Sequence, residues 1–457
     1  MRLAADINAI APKGKRKRIY ALQPKGKLYR FRTALSLVYL LLFFGLPYIN
    51  INGNPLFLFN FPKATFILFG RIFLPQDFLL MGVGMLVALL FIIVFTLLFG
   101  RIFCGWACPQ TIFMEMVFRR IEYWIEGPGQ KQRIADSKKW STELYVRKSL
   151  KHLVFLLLSF GIANTFLAYI IGVADLGKII REPVAQHWAG LTAITGFTLV
   201  FYAVYAFVRE IVCTVICPYG RLQSVLLDKD SLVVAYDYIR GEPRSRKRRS
   251  SATAEGDCID CALCVQVCPT GIDIRNGLQL ECINCTACID ACNGMMLKTG
   301  RAPGLIRIAN EQAISERRRP RITAKVKTYI GLLFILSTAW LILICSRSVF
   351  DATVLRVPGQ VLQENADGTI SNLYRIKIVN KSMRAAPYSL QLQDSRAHIV
   401  FVGKHPDSLY PGKATEETFF IKVPAAAIRR RKEIFRLRIM SGQQLIQSRK
   451  ATFIGAY

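Results

Sequence analysis

Eight cysteines between Cys258 and Cys292 constrain this chain more than any other stretch. They form two runs of one spacing, Cys258, Cys261, Cys264, Cys268 and then Cys282, Cys285, Cys288, Cys292, each C-x2-C-x2-C-x3-C. Bacterial two-cluster ferredoxins have this spacing. Three thiolates two residues apart wrap a short loop around one face of an iron–sulfur cubane. The fourth lies too far along to close the same cube and crosses to the other cluster. On that rule Cys258, Cys261, Cys264 and Cys292 hold one 4Fe–4S cluster, and Cys282, Cys285, Cys288 and Cys268 hold the second. Pro269 follows the first run as the pattern expects, and Asn293 stands in place of proline after the second. Structural zinc takes two C-x-x-C pairs with a longer spacer and no three-residue step. Disulfides need an oxidising compartment. The implied chemistry is electron transfer.

The rest of the chain is apolar. Of 457 residues 52% are hydrophobic, which points to a membrane protein with soluble parts. Five apolar spans fall at about 33–49, 78–99, 149–172, 190–208 and 328–344, each close to the ~20 residues that cross a hydrocarbon core. Asn164 and Thr165 in the third are expected to face other helices. The net charge of +31 marks loops beside anionic lipid. Nucleic acid is the other partner of a basic chain, but no nucleic-acid motif appears.

Basic residues crowd 101–148 (Arg101, Arg119, Arg120, Lys131, Arg133 among them) and 209–327 (Arg244 to Arg249, Arg317 to Arg321), whereas 173–189 has only Lys178 and Arg181. The N-terminus, 101–148 and the ferredoxin insert are therefore expected in the cytoplasm, and residues 346–457 outside. Cysteine usage agrees, since none follows Cys345. The first thirty residues are basic and lack the apolar core and cleavage site of a signal peptide.

The expected division is a basic, partly disordered tail (1–32), a four-helix membrane domain (33–210), a linker (211–256), the two-cluster ferredoxin domain (257–300), a basic linker (301–327), a fifth span (328–345) and an external domain (346–457). Residues 50–77, rich in Pro, Gly, Asn and Phe, read as an outer loop. In the last domain TVLRV, NLYRIKIVN, YSLQLQ, HIVFV, ETFFIKV, IFRLRIM and ATFIGAY alternate, with turn signals at Asp367-Gly368, Pro411-Gly412 and Ser441-Gly442 between them. About seven short strands over ~100 residues indicate an immunoglobulin-like β-sandwich, without a disulfide and suited to partner contact. The fold class is a multi-domain membrane protein: five transmembrane α-helices, an inserted two-cluster ferredoxin domain and a C-terminal immunoglobulin-like β-sandwich.

A second cysteine constellation is repeated. The second span ends in GRIFCGWACPQTIF and the fourth in VREIVCTVICPYGRL, so Cys104, Cys108, Pro109 and Cys213, Cys217, Pro218 both make C-x3-C-P. Thiols at i and i+4 share a helix face and suit one soft metal ion. Proline ends a span or opens a new helix with Cys108 or Cys217 at its cap. A thiol at a helix start is favoured as thiolate, and thiolates select Cu(I) or other soft ions. Simple packing and a redox-active disulfide are the alternatives. The following stretch, PQTIFMEMVFRRIEYWIE, looks amphipathic and suited to lie along the interface. Cys345 reads as packing. Met81, Met85, Met114 and Met116 read as gap-fillers before copper ligands. His152 and His187 lack the paired placement of a haem site. Glu115 and Glu210 read as partners of nearby arginines.

Together FCGWACPQ, CTVICPYG, the insert from Cys258 to Cys292 and FDATVLRVPG resemble the CcoG, FixG and RdxA family of cytochrome c oxidase accessory proteins, over nearly the whole chain. Membrane ferredoxins of the NapH and NosR type are looser relatives. The resemblance implies a bacterial inner-membrane protein that assists assembly of a cbb-type haem–copper oxidase, as a cupric reductase turning Cu(II) into Cu(I). It implies that Cys104, Cys108, Cys213 and Cys217 form a copper site beside two 4Fe–4S clusters, with the C-terminal domain periplasmic. The expected partners are membrane lipid, subunits of the haem–copper oxidase or their assembly factors, a copper chaperone or transporter, and a cytoplasmic electron donor. Two other readings stay open: a quinol-linked electron-transfer subunit indifferent to copper, and a non-catalytic copper carrier or assembly scaffold.

Overall fold

The structure, a computed structural model, describes residues 18–51, 54–61, 64–138, 141–245, 256–317, 322–357, 362–382, 384–403 and 405–455. The tail before residue 18, the run 246–249 and Arg318, Arg319 and Arg321 lie outside these. Among the described residues five helices are long and apolar enough to cross a membrane: Lys27–Tyr48, Phe78–Phe99, Thr142–Ile171, Ala185–Val208 and Ala324–Cys345. Large apolar side chains such as Leu41, Phe78, Leu79, Met85 and Phe334 stand exposed on them. A bilayer accepts such a surface, and the helix satisfies its own backbone there. Cys345 is exposed rather than packed.

The chain divides into two compact units, residues 1–45, 82–167 and 177–340 in one, and 46–81, 168–176 and 341–457 in the other. In the first, two helices start earlier than hydropathy suggests, and caps explain both. The N–H groups of Leu28 and Tyr29 donate to Asp290, at 3.3 and 2.7 Å, so the first long helix begins at Lys27. Ser141 Oγ accepts from the Leu144 N–H at 3.3 Å, and the third begins at Thr142. Residues 18–26, read as part of a disordered tail, are ordered. The Leu22 N–H donates to Gln266 O at 2.8 Å, and the Tyr123 hydroxyl to Ala21 O at 2.9 Å.

The stretch 109–125 is a helix with a π-helical turn over Ile112–Phe118, and Phe113, Met114, Phe118, Arg119 and Glu122 are all buried. Phe118 stacks on Tyr205 with centroids 4.6 Å apart. Arg119 pairs with Glu115 at 2.6 Å and Glu210 at 3.8 Å. Glu115 and Glu210 pair with a nearby arginine as expected, and the charged side chains of this helix meet their partners inside the protein.

The ferredoxin insert rests on an antiparallel pair, Val233–Tyr236 against Ile306–Ala309, with Val233 opposite Ala309 and Tyr236 opposite Ile306. Both strands come from stretches read as linkers, so the folded insert is longer than 257–300. Val234, Ile274, Ile283, Met296, Leu305 and Ile306 form its core with the buried cysteines.

The second unit holds the immunoglobulin-like sandwich. One sheet runs in the order His398–Val402, Ala414–Pro424, Thr369–Asn380, Phe350–Arg356, and the other Ser389–Leu392, Lys432–Ser441, Gln444–Ile454. Alternate residues Tyr374, Ile376 and Ile378 meet Phe419, Ile421, Leu437 and Phe453 in the core. The Tyr374 hydroxyl donates to Thr452 O at 2.7 Å. The loop before the second span carries its own three-stranded sheet, Phe57–Asn60, Thr65–Leu68 and Arg71–Phe73. Its Ile67, Ile72 and Leu74 pack with Val379, and Asp77 pairs with Lys381 at 2.6 Å and Arg347 at 2.5 Å.

Candidate iron–sulfur and thiol centre

Each cysteine run of the insert adopts the same unusual backbone. Asp260 and Ala262 flank Cys261 at φ +50° and +54°, and Asn284 and Thr286 flank Cys285 at φ +51° and +64°. Non-glycine residues pay for left-handed backbone. Here the alternation turns successive N–H groups to one side, the concavity that receives anionic iron–sulfur clusters. Two cavities result. One is lined by Cys268, Cys282, Cys285 and Cys288, together with Cys264, which lines both. The other is lined by Cys258, Cys261, Cys264 and Cys292. The fourth cysteine of each run thus stands with the first three of the other.

Burial pushes the Cys264 and Cys282 thiols up to about 12, and those of Cys285 and Cys292 up to about 11. Such thiols ionise when a cationic centre compensates them. The donor set, its backbone and its cavities fit two 4Fe–4S clusters.

The C-x3-C-P repeat extends to the backbone. Four residues before each pair the chain turns left-handed, at Gly100 (φ +58°) and at Arg209 (φ +52°). Cys108 and Cys217 are extended N-cap residues, with Pro109 and Pro218 opening the next helices. Cys104 and Cys213 are buried, Cys108 and Cys217 half-buried. The four thiols are near enough to act on one another: Cys108 and Cys217 on Cys104, and Cys108, Cys104 and Cys217 on Cys213. Among the described residues no three His, Cys, Asp or Glu side chains converge on a point that would hold a single ion. The eight insert cysteines share that property, because they enclose a cavity.

The first pair is seated on the insert. A Cβ on Gly105 would lie 2.4 Å from Ile283 O and 2.9 Å from Cys285 N and Cα. Only glycine permits that approach. The Trp106 indole N–H donates to Asn284 O at 3.2 Å. The Cys104 thiol donates to Gln223 Oε1 at 2.9 Å, and Gln223 Nε2 donates to Thr96 Oγ1 at 3.1 Å. The buried Arg101 donates to Leu280 O and to Cys213 O. Cys104 therefore belongs to the same buried cluster as Ile283, Cys285 and Cys288.

Three relatives are similar to this chain along most of its length. RdxA of Cereibacter sphaeroides is 32% identical over 354 residues, covering 74% of this chain and 73% of that protein. The chain belongs to the FixG/RdxA family. Nitrogen fixation protein FixG of Rhizobium meliloti is 29% identical over 495 residues, 95% of this chain and 92% of that protein. RdxB of Cereibacter sphaeroides is 29% identical over 418 residues, 88% and 87%. Residues 340–456 match the immunoglobulin-like fold at the C-terminus of FixG. Residues 208–311 match a 4Fe–4S dicluster domain, and residues 81–127 a 4Fe–4S binding domain. This FixG/RdxA-family chain is an iron–sulfur membrane redox protein, and its chemistry is electron transfer.

Sequence reasoning missed Gln223, Thr96, Arg101 and Asn284, the polar groups that hold the pairs and the loop. Gly105 and Trp106 were visible inside FCGWACPQ, but nothing local says what they touch. Thiolate character was expected from helix starts. That expectation concerns Cys108 and Cys217; the buried members of the pairs are different, and burial pushes Cys104 up to about 11 against the pull of Arg101, and Cys213 up to about 12. Met81 and Met85 are exposed on their helix, and Met114 lies in an aromatic core. His152 bonds the Tyr202 hydroxyl at 2.9 Å, and His187 pairs with Glu182.

Proposed function

We propose that this chain reduces Cu(II) to Cu(I) at the C-x3-C-P thiols for the assembly of a cbb-type haem–copper oxidase. The observation that carries the proposal is the seating of Gly105 and Trp106 on the backbone of Ile283, Asn284 and Cys285. That contact puts Cys104 beside the loop that carries three insert cysteines. When bound, the clusters supply single electrons from a cytoplasmic donor. Cu(II) is the substrate; it takes one electron and leaves as Cu(I), and no covalent bond is made or broken in the protein. Cys104, Cys108, Cys213 and Cys217 contribute soft donors that hold Cu(I) better than Cu(II), which draws the electron forward. Gln223 orients the Cys104 sulfur, and Arg101 ties the second pair to the insert.

The excess of basic residues in 101–148 and 209–327 supports a cytoplasmic insert and an external C-terminal domain. Reduced copper then passes to a transporter or chaperone, and the sandwich contacts the oxidase or its assembly factors. The test is Cu(I) formation by purified protein with intact clusters. Replacing Cys104 and Cys108 by serine abolishes it on this reading, and unchanged rates remove the site.

A further inference from the structure

A cleft of about 500 Å³ lies where the third long helix begins and the fourth ends. Arg18, Lys148, Lys151 and Arg209 line it. Arg18 pairs with Glu122 at 2.6 Å and Asp136 at 3.0 Å, Lys151 with Glu126 at 2.7 Å, Arg209 with Glu122, and Lys148 with Asp136. Among the described residues no carboxylate lines the cleft. Lys151 is 4% exposed and Arg209 7%, so these cations are built into the bundle and are not a solvated fringe.

Arg209 carries a second sign. It holds φ +52° where the first repeat has Gly100 at φ +58°. A residue that glycine replaces so readily in the sister repeat keeps its strain because its side chain is used. That side chain reaches both Glu122 and the cleft.

We propose that this cleft binds a phosphate group, presented by the headgroup of an acidic phospholipid or as free phosphate. The cations supply charge-assisted donors suited to phosphate oxygens. The cleft lies where one apolar span begins and another ends, and basic pockets between membrane helices bind anionic lipid. Ala206 and the exposed Phe207 give it an apolar wall beside the charges, which suits the start of an acyl chain. The binding does not depend on the copper reading.

The test uses full-length protein with its clusters, in nanodiscs containing phosphatidylglycerol and phosphatidylcholine in equal amounts. Retained lipid is counted by native mass spectrometry. Wild type keeps phosphatidylglycerol in preference to phosphatidylcholine. Ala206→Phe fills the cleft without touching a charge and loses the preference. Lys148→Gln weakens it about fivefold, and it serves as the reading if Ala206→Phe fails to keep its clusters. Inorganic phosphate that displaces the lipid identifies free phosphate as a ligand; lipid that stays bound against it identifies the headgroup. Equal retention of the two lipids by wild type, or undiminished preference in both variants, overturns the proposal.

Discussion

Gly105→Ala is the smallest change that probes the seat of the first cysteine pair. The added methyl would meet Ile283 O at 2.4 Å and Cys285 N and Cα at 2.9 Å. All three atoms are backbone, so no side chain can swing away. Ordinary contact begins at 3.4 Å, so the segment must retreat by about 3.4 − 2.4 = 1.0 Å. Overpacking of this kind costs about 1–3 kcal/mol. Gly294→Ala is the matched control. It lies in the helix Ala287–Lys298 of the same insert, and its added methyl meets nothing within 4 Å. Relief of glycine's helix penalty there is worth about 0.5–1 kcal/mol in the stabilising direction. Thermal loss of cluster absorbance reads both, and single-turnover electron delivery to Cu(II) reads the seat. Gly105→Ala should melt earlier and transfer more slowly, while Gly294→Ala should melt no earlier than wild type and transfer normally. If the two behave alike, the close approach of Gly105 to the cluster loop is not what positions Cys104.

Three other outcomes follow from particular contacts. Burial opposes ionisation of Asp77, but Lys381, the Leu74 N–H and Arg347 outweigh it and hold the carboxyl below its usual range. A depressed carboxylate stabilises the fold above its unfolded pKa of about 3.9 and loses that contribution as pH falls through the folded value. Asp77→Asn should therefore cost about 3 kcal/mol at neutral pH, with the gap to wild type closing below about pH 3.9, as followed by limited proteolysis. Gln223→Leu removes the acceptor of the Cys104 thiol and one donor to Thr96, whose hydroxyl keeps its bond to Ile92 O. A loss of about 0.5–1.5 kcal/mol with faster alkylation of Cys104 is expected, and unaltered alkylation would show that Gln223 does not restrain it. Iron chelation should unfold the insert, since metal binding there is folding energy. The sandwich, with its separate core around Tyr374, Phe419 and Phe453, should keep its β-sheet circular dichroism.

What could be read in advance divides along the range of the forces involved. Alternation from TVLRV to IFRLRIM is a local signal, and the strands Phe350–Arg356 to Lys432–Ser441 overlap the stretches it marked, while the last strand, Gln444–Ile454, begins seven residues before ATFIGAY. Span length and the proline at the end of each C-x3-C-P motif are also local, and Cys108 and Cys217 cap helices as that proline suggests. Contacts between distant segments left no such trace. The first helix starts at Lys27 because Asp290, some 260 residues on, accepts from its first N–H groups. The helix 109–125 looked amphipathic because its charged face meets ion-pair partners from other segments, among them Glu210 and Arg209. Arg209 itself gave no warning of its left-handed backbone except by alignment with Gly100, a comparison that only the repeat makes possible.

The central claim is that electrons leave the insert through the thiol site. It is tested most directly by reducing the protein anaerobically, adding Cu(II), and following cluster reoxidation and Cu(I) appearance in the same cuvette. One Cu(I) should appear for each electron lost, with both signals abolished together in Cys104→Ser combined with Cys213→Ser. Clusters that stay reduced in the presence of Cu(II), or that reoxidise at the wild-type rate without those two sulfurs, would contradict it.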